Sequence, residues 1–331
     1  MLNADGIVLT SYFDERSRVN GTPTRDGLIE LYRTGSLASS IMLRGLSDDL
    51  PLAVTAIDSQ PNIEAILEKA LELNHLGLTT IGAAQFLRDE ISPVDILERA
   101  DAATKLTIYL GSQDQVYGVP AFEVICEVLQ RHGIHGATVM PGVDGTTRGR
   151  RRRARFASRD TDAPLMVIAV GNGHQIGTML PELGDLLRHP LITLERVRLC
   201  KRQGQLISQP EQPHGVDDHG SPLGCKLTIY TSVAARRDGE PIHRAIVRGM
   251  RSTEICCAIT HRGTWGFRGD RLPHGDKFLL FTRHMPAVTT VIATGDHVSD
   301  AFDVVDELTS ERGLVTSETI PVIRTSGPPP A

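Results

Sequence analysis

The sequence has few cysteines and few aromatic residues, and it lacks any long apolar run. Among its 331 residues there are five cysteines, none in a Cys-x-x-Cys pair, and aromatic residues make up 4%. So few unpatterned thiols argue against a disulfide-stapled secreted protein and predict a reducing, cytoplasmic location. No apolar stretch reaches the roughly 18 residues that a membrane-spanning helix needs. The amino terminus has no basic stretch followed by an apolar run, so no secretory signal is expected.

Motifs that carry catalysis are also missing. The sequence has no Gly-x-Ser-x-Gly, no Gly-x-x-x-x-Gly-Lys-Ser/Thr, no His-Glu-x-x-His and no matched pair of carboxylates. It therefore predicts no catalytic residue and no metal site, and it gives no support for an enzyme. The formal net charge of −5 argues against a surface built to hold nucleic acid.

Four markers recur three times in the same order. The first is Leu-Thr-Ser/Ile-Tyr at 9–12, 106–109 and 227–230, and the second is Gly-x-Pro at 21–23, 118–120 and 239–241. A glycine follows at Gly45, Gly142 and Gly263, and a closing marker ends in Thr at 77–80, 190–193 and 313–316. Because the first three markers keep the same spacing in every copy, the sequence predicts internal duplication.

Each unit predicts the element order βαββαβ, which is that of ferredoxin-like domains. In the second unit, strands are predicted over 106–110, 137–140, 165–170 and 193–199, with an amphipathic helix after Pro120 and another over 176–188. The fold class is therefore α+β with three tandem domains. We predict repeats over 6–88, 104–200 and 224–324, a linker helix over 89–103, a flexible linker over 201–223 and a disordered tail over 325–331.

Several short segments carry a resemblance to a known family. They are Lys-Leu-Thr-Ile-Tyr at 105–109, the Gly-x-Pro helix starts, Gly-Ala-Thr-Val at 136–139, Arg-Gly-Thr-Trp-Gly-Phe at 262–267 and Leu-Ser-Asp-Asp-Leu-Pro at 46–51. In combination they resemble DUF190 proteins, a family similar in fold to the PII signalling proteins. The resemblance extends over nearly all of the chain outside the linkers and the tail.

The resemblance implies a ferredoxin-like domain that trimerises, with a long T-loop between its second and third strands. Ligand sites of PII-like proteins lie in clefts between neighbouring subunits, near the base of that loop. Three repeats in one chain would complete the ring as a single-chain pseudo-trimer, which would also cover exposed sheet edges. The alternative is a string of independent domains that oligomerise between chains.

The three predicted T-loops differ in length. Gly45 and Pro51 are six residues apart, whereas Gly142 and Pro164 are 22 apart, so the first repeat has lost its loop. The resemblance places candidate ligand-binding residues at the loop bases. They are Arg262, Gly263, Trp265, Gly266, Phe267 and Arg268 in the third repeat, Gly142, Arg148, Arg150 and Arg151 in the second, and Arg44 and Gly45 as a vestige in the first.

The second T-loop contains six arginines within residues 148–155. Guanidinium groups suit phosphates and carboxylates because each offers a rigid fork of donors. The run predicts either a site for an anionic ligand or nucleotide, a surface for an acidic partner, or a solvated stretch of repelling charges. No aromatic residue interleaves the arginines, which argues against single-stranded nucleic acid.

Two functions remain open from the sequence. The first is a PII-like regulatory protein that senses a small anionic ligand or an adenine nucleotide in its clefts and signals through its T-loops to a partner protein. DUF190 genes often adjoin fluoride-exporter genes, so the resemblance includes a membrane transporter or channel among the partners. The second is a scaffold that has kept the body of the ring and lost ligand binding.

Overall fold

Helices and strands fall into three consecutive segments of similar design. A computed structural model describes residues 6–14, 18–19, 22–35, 39–44, 51–74, 77–87, 103–147, 150–153, 162–187, 190–253, 255–268, 274–275 and 285–324. We call residues 6–87 the first segment, 103–196 the second and 223–324 the third. The predicted α+β class is confirmed. Within the described residues, no helix is long and apolar enough to span a membrane.

The elements are as follows. The first segment contains β1 (Gly6–Asp14), β2 (Arg18–Val19), β3 (Thr22–Pro23), α1 (Thr24–Gly35), β4 (Ser39–Arg44), β5 (Pro51–Asp58), α2 (Gln60–Leu73) and β6 (Leu78–Leu87). The second contains β7 (Ala103–Gly111), β8 (Gln115–Val116), β9 (Val119–Pro120), α3 (Ala121–Arg131), β10 (Gly136–Pro141), β11 (Asp144–Thr147), β12 (Arg150–Arg153), β13 (Pro164–Asn172), α4 (Gly173–Leu186) and β14 (Leu191–Arg196). After β15 (Arg198–Arg202) and β16 (Gln205–Leu206), the third contains β17 (Leu223–Ser232), β18 (Arg236–Arg237), β19 (Glu240–Pro241), α5 (Ile242–Gly249), a 3₁₀ turn (Met250–Ser252), β20 (Cys257–Arg262), β21 (Trp265–Arg268), β22 (His274–Gly275), β23 (Pro286–Thr294), α6 (His297–Leu308) and β24 (Leu314–Arg324).

Each segment builds the same antiparallel sheet. Its first strand lies in the middle, flanked by the third and fourth main strands, and the second main strand lies outside the third. The orders are β4-β5-β1-β6, β10-β13-β7-β14 and β20-β23-β17-β24. The order βαββαβ that the sequence predicts for each unit is therefore the order of its main elements.

The Gly-x-Pro marker forms a tight hairpin turn before the first helix of a segment. Gly118 and Gly239 have φ values of 82° and 84°, and the residues before them, Tyr117 and Asp238, are also at positive φ. Two successive left-handed residues are typical of a type I′ turn, in which glycine is favoured. The proline then ends the short returning strand, and the helix begins at the next residue.

The structure differs from the predicted flexible linker over 201–223. The predicted closing strand over 193–199 breaks at Val197, and β15 then pairs with β24 of the third segment. Lys201 is buried, with its Nζ 2.5 Å from Oδ1 of Asp306 on α6. The first residues of the predicted linker are thus part of the third segment's sheet. The predicted linker helix, apart from Ala103 in β7, and the tail from 325 lie outside the described residues.

The closing strands of the three segments pair with one another in cyclic order. The end of β6 pairs with β14, β15 pairs with the start of β24, and the end of β24 pairs with the start of β6. Backbone hydrogen bonds therefore link the first segment to the second, the second to the third and the third back to the first. Strand edges at these junctions are paired rather than exposed.

Apolar side chains fill three clusters beneath the helices and one central cluster. Leu9, Leu106 and Leu227 are fully buried at matching positions of the three helix-side clusters. The central cluster draws residues from all three segments, and its buried members include Leu43, Ile57, Phe86, Tyr109, Met140, Met166, Leu191, Tyr230 and Val288. One face of each sheet thus packs on its own helices, and the other packs on its neighbours.

Four charged side chains form a buried network at the junction of the second and third segments. Lys105 Nζ lies 2.8 Å from Oε2 of Glu195 and 2.9 Å from Oε1 of Glu318, while Lys226 Nζ lies 2.5 Å from Oε2 of Glu318. Burial alone would raise the pKa of Glu318, but the two ammonium groups outweigh it and lower that pKa to about 2. The network is electrically balanced, with two cations and two anions.

We expect Lys105→Met to destabilise the protein strongly. Removing this ammonium group leaves Glu195 without it and strips Glu318 of one of its two cations, and breaking a buried pair typically costs about 3–5 kcal/mol. Urea unfolding followed by circular dichroism measures the loss. Lys69→Met is the matched control, because Lys69 and Glu72 are exposed and such pairs contribute at most about 1 kcal/mol. Equal effects of the two substitutions would contradict a structural role for the network.

Candidate functional site

A cavity of about 910 Å³ lies at the junction of the second and third segments. The second segment lines it with residues 135–138 and 168–170, from β10 and β13. The third segment contributes residues 230–232, 234–235, 266–268, 286 and 311–314, and the turn after β15 contributes 202–203. Walls from two segments make this an inter-segment cleft of the size that small organic ligands occupy.

The strand β21 brings the third segment's loop base into this cleft. It pairs antiparallel with β10 of the second segment, so that Gly266 lies opposite Thr138 and Arg268 opposite Gly136. A Cβ atom built on Gly266 would lie only 2.2 Å from the carbonyl oxygen of Ala137. The close approach of the two backbones therefore requires glycine at this position.

Aromatic packing anchors the same strand in the second segment. The ring of Trp265 meets that of Phe122 on α3 edge-to-face, with centroids 5.8 Å apart and planes at 71°. Phe267 is buried in the second segment's helix-side cluster and also lines the cleft. Such pairs add stabilisation beyond the burial of their area. One strand thus contributes to the neighbour's core and to a wall of the cleft.

The charge of the cleft is positive. Its lining contains three arginines, Arg202, Arg268 and Arg312, and one carboxylate, Glu311. Arg268 Nη2 donates a hydrogen bond to the carbonyl oxygen of Tyr230 at 3.0 Å, which directs this side chain along the wall. Arg202 and Arg312 are exposed at the rim. Guanidinium groups are suited to phosphate or carboxylate, and Arg312 Nη2 already lies 3.7 Å from Oε2 of Glu311.

A buried hydroxyl group in the cleft lacks a partner. Thr231 is 3% exposed, and within the described part of the chain its Oγ1 has no hydrogen bond. Leaving a buried hydroxyl unpaired is unfavourable, and such groups are uncommon in folded proteins.

The comparison with protein families bears on both walls of the cleft. The model of the DUF190 family, described as "Uncharacterized ACR", matches residues 103–199 and 224–322, which is more than half of the chain. The chain belongs to the DUF190 family. DUF190 is a PII-like family, which suggests a regulatory role. The two DUF190 matches coincide with the second and third segments, and the cleft lies where they meet.

Some residues of the third loop base of this DUF190 protein line the cleft, and others pack against the neighbouring segment. Gly266, Phe267 and Arg268 line the cavity, whereas Trp265 faces the neighbouring core. Gly263 is buried, and a Cβ there would lie 3.0 Å from the carbonyl oxygen of Val139. Glycine therefore allows the turn between β20 and β21 to approach the backbone of β10 closely. Arg262 ends β20 and is not among the residues that line the cavity.

The described candidate residues of the second and first loop bases lie at the junction of the first and second segments. Gly142 is buried, with its N–H donating to the carbonyl oxygen of Pro164 at 2.8 Å, and β11 then pairs with β4 of the first segment. Arg150 and Arg151 belong to β12, which pairs with β11, and Arg44 ends β4. Arg148 and Gly45 lie outside the described residues.

Sequence reasoning missed three polar residues of the cleft. Arg202 falls within the predicted linker, but the Gln203–Gly204 pair that follows it, at φ values of 50° and 85°, is a hairpin signal that the sequence contains. Thr231 directly follows the first marker, and Arg312 directly precedes the closing one. Thr231 and Arg312 are thus marked in the sequence by their positions next to the repeated markers, and Arg202 by the hairpin signal that follows it.

A buried histidine precedes the third loop base. His261 on β20 is 4% exposed, and its Nε2 lacks a hydrogen bond in the described part of the protein. Burial lowers the pKa of His261 to about 4. The corresponding positions, four residues after Gly136 and Ser39 at the starts of β10 and β4, hold Met140 and Leu43 of the central cluster. His261 is therefore a neutral imidazole in an apolar place.

We expect His261 to lower stability as the pH falls from about 6.5 to 4. Above that window the imidazole is neutral in both states; within it the unfolded chain takes up a proton that the folded protein resists, at a cost of up to about 3 kcal/mol. His261→Met should flatten this part of the stability profile, measured by urea unfolding at several pH values. His219→Met, at an exposed position, should not. Parallel profiles for His261→Met and the parent protein would contradict the prediction.

Proposed function

We propose that the chain is a cytoplasmic PII-like regulatory protein in which three ferredoxin-like repeats form a single-chain pseudo-trimer. It senses a small anionic ligand or nucleotide in the cleft between the second and third segments. It signals through its T-loops to a partner protein. The repeats are those predicted over 6–88, 104–200 and 224–324.

The cyclic pairing of the closing strands supports the pseudo-trimer. Each segment has the same sheet order, and each junction uses the same strands in the same way. The two described loop strands also match, because Gly145 of β11 lies opposite Ile41 just as Gly266 lies opposite Thr138. A ring that closes within one chain needs no second copy to cover these edges.

The observation that carries the ligand proposal is the cleft itself. It combines a cavity of about 910 Å³, three arginines and the buried, unpartnered hydroxyl of Thr231. Arginine forks recognise phosphate and carboxylate in two-point contacts, and the hydroxyl adds a third contact. These features support an anionic ligand such as an adenine nucleotide, and they also admit smaller anions.

The position of β21 supports signalling from this cleft. Arg268 is the last residue of β21, and the chain that follows is the predicted T-loop of the third repeat. A ligand that binds Arg268 differently in two arrangements of that loop shifts the balance between them. The partner protein binds the loop in one of its arrangements. A membrane transporter or channel is among the candidate partners.

The arginine run of the second T-loop is proposed as a surface for an acidic partner. Residues 150–153 form β12, which pairs with β11 and with no other strand among those described. The strand carries four consecutive arginines in its sequence, which is a high local density of positive charge. Because the chain as a whole has a net charge of −5, this local positive charge favours acidic segments of a partner over nucleic acid.

We expect adenosine triphosphate to bind the cleft and to change the fluorescence of Trp265. This is the chain's only tryptophan, and it directly precedes the lining residue Gly266, so its emission reports on the site. A ligand at 100 times its dissociation constant would add about 2.7 kcal/mol of stability, visible as a thermal shift. Arg268→Ala should abolish both signals. Arg248→Ala is the control, because Arg248 is exposed and paired with Glu240.

Thr231→Val separates binding from folding. It removes a hydroxyl that has no protein partner in the described structure, so the unliganded protein should keep or raise its thermal midpoint while the nucleotide binds more weakly. The screen also includes AMP, cyclic nucleotides, bicarbonate and fluoride. If none of these ligands shifts the midpoint or the fluorescence, the sensor is excluded and the scaffold takes its place.

A further inference from the structure

The three inter-segment junctions can be compared residue by residue. The loop strands β11 and β21 lie in the same register on their neighbours, with Gly145 opposite Ile41 and Gly266 opposite Thr138. Two residues after each glycine come Thr147 and Arg268, which therefore hold equivalent places. The first markers align the cleft's hydroxyl residue in the same way. Thr231 follows Tyr230 as Leu110 follows Tyr109 and Phe13 follows Tyr12.

At the junction of the first and second segments, the places of Arg268 and Thr231 hold other residues. Where the cleft has Arg268 this junction has Thr147, and where the cleft has Thr231 it has Leu110, a buried member of the second segment's core. The next residue, Ser232 in the cleft, corresponds to Gly111. An anion there would meet neither the deep guanidinium group nor the buried hydroxyl.

The junction of the third and first segments departs further. Only six residues connect β4 to β5, where the second segment has β11 and β12 between its corresponding strands. The position of Thr231 is taken by Phe13, which is buried in the first segment's core. Neither the guanidinium group nor the hydroxyl of the cleft has an equivalent in this first-segment wall.

The walls of the remaining cleft specify the kind of anion. Besides its arginines, the lining contains apolar side chains, among them Ile168, Val170 and Leu314, together with the ring of Phe267. A cavity of about 910 Å³ is far larger than a hydrated inorganic ion needs and lies in the range of organic ligands. The lining therefore combines guanidinium groups that suit an anionic group with apolar side chains that suit an apolar body.

From these differences we infer that the chain has one ligand site, at the junction of the second and third segments, and that the site takes an organic anion with an apolar body. The inference rests on the proposed function and adds that the cleft of that proposal is the single ligand site of the chain. A symmetric assembly of three identical subunits would hold three equivalent sites. Here duplication within one chain has let the junctions diverge.

Isothermal titration of the full chain with adenosine triphosphate tests the inference. We expect one molecule bound per chain. Arg268→Ala should weaken binding at least tenfold. Thr147→Ala, which also introduces alanine and changes the residue that corresponds to Arg268 on β11, should leave binding unchanged. Thr231→Val supplies a second cleft variant if Arg268→Ala does not fold. Inorganic phosphate and fluoride, titrated in parallel, should bind at least tenfold more weakly than the nucleotide.

The outcomes distinguish a failure of the single-site inference from a failure of the proposed sensor function. Two or three nucleotides per chain, or equal losses in the Thr147 and Arg268 variants, would overturn the single site and leave the sensor standing. Binding of phosphate or fluoride as tight as that of the nucleotide would overturn the ligand class. If neither the nucleotide nor any of the smaller anions binds, the proposed function fails and the inference fails with it.

Discussion

The position of Lys105 constrains how the second and third segments fit together. An ammonium group in an apolar interior is tolerated only where anions compensate its lost hydration, and its two partners come from different segments. Glu195 faces it across the second segment's own sheet, while Glu318 comes from the third. Sliding or rotating one segment against the other would leave buried charges unpaired. The cleft is built on strands adjoining this network, since β13 pairs with β7 and β24 contains both Glu318 and Leu314.

The same constraint bears on the first segment, where the corresponding residues carry no charge. Lys105 lies directly opposite Glu195, and Lys226 directly opposite Glu318, across neighbouring strands. The corresponding pair in the first segment is Val8 opposite Gly82. Losing only the lysine or only the glutamate would leave a buried charge uncompensated, whereas losing both keeps the network neutral. A lysine without its glutamate, or the reverse, would be unfavourable at this place, which accounts for the first segment differing from the other two at both positions together.

The sequence predicted the helices and strands well because the residues that mark turns and helix starts recur in it. Gly118 and Gly239 sit in turns that need positive φ, and the prolines after them precede helices, so local chemistry alone locates these boundaries. The junctions were harder. Which strand of one segment pairs with which strand of the next depends on long-range geometry, and hydrophobic periodicity carries no information about it. Lys201 illustrates this, because nothing local marks a lysine in a polar stretch as a buried anchor to Asp306.

The candidate site was predicted in part for the same reason. Gly266, Phe267 and Arg268 belong to a recognisable motif, whereas Arg202 reaches the cleft only because β15 pairs with β24. Anchoring also decides what can move. Trp265 and Phe267 are packed into the second segment's core, so β21 is held in place before any ligand arrives, and little ordering cost attaches to Arg268 itself. β21 is therefore a fixed wall of the cleft, and the ligand proposed for this cleft meets an arrangement that is already in place.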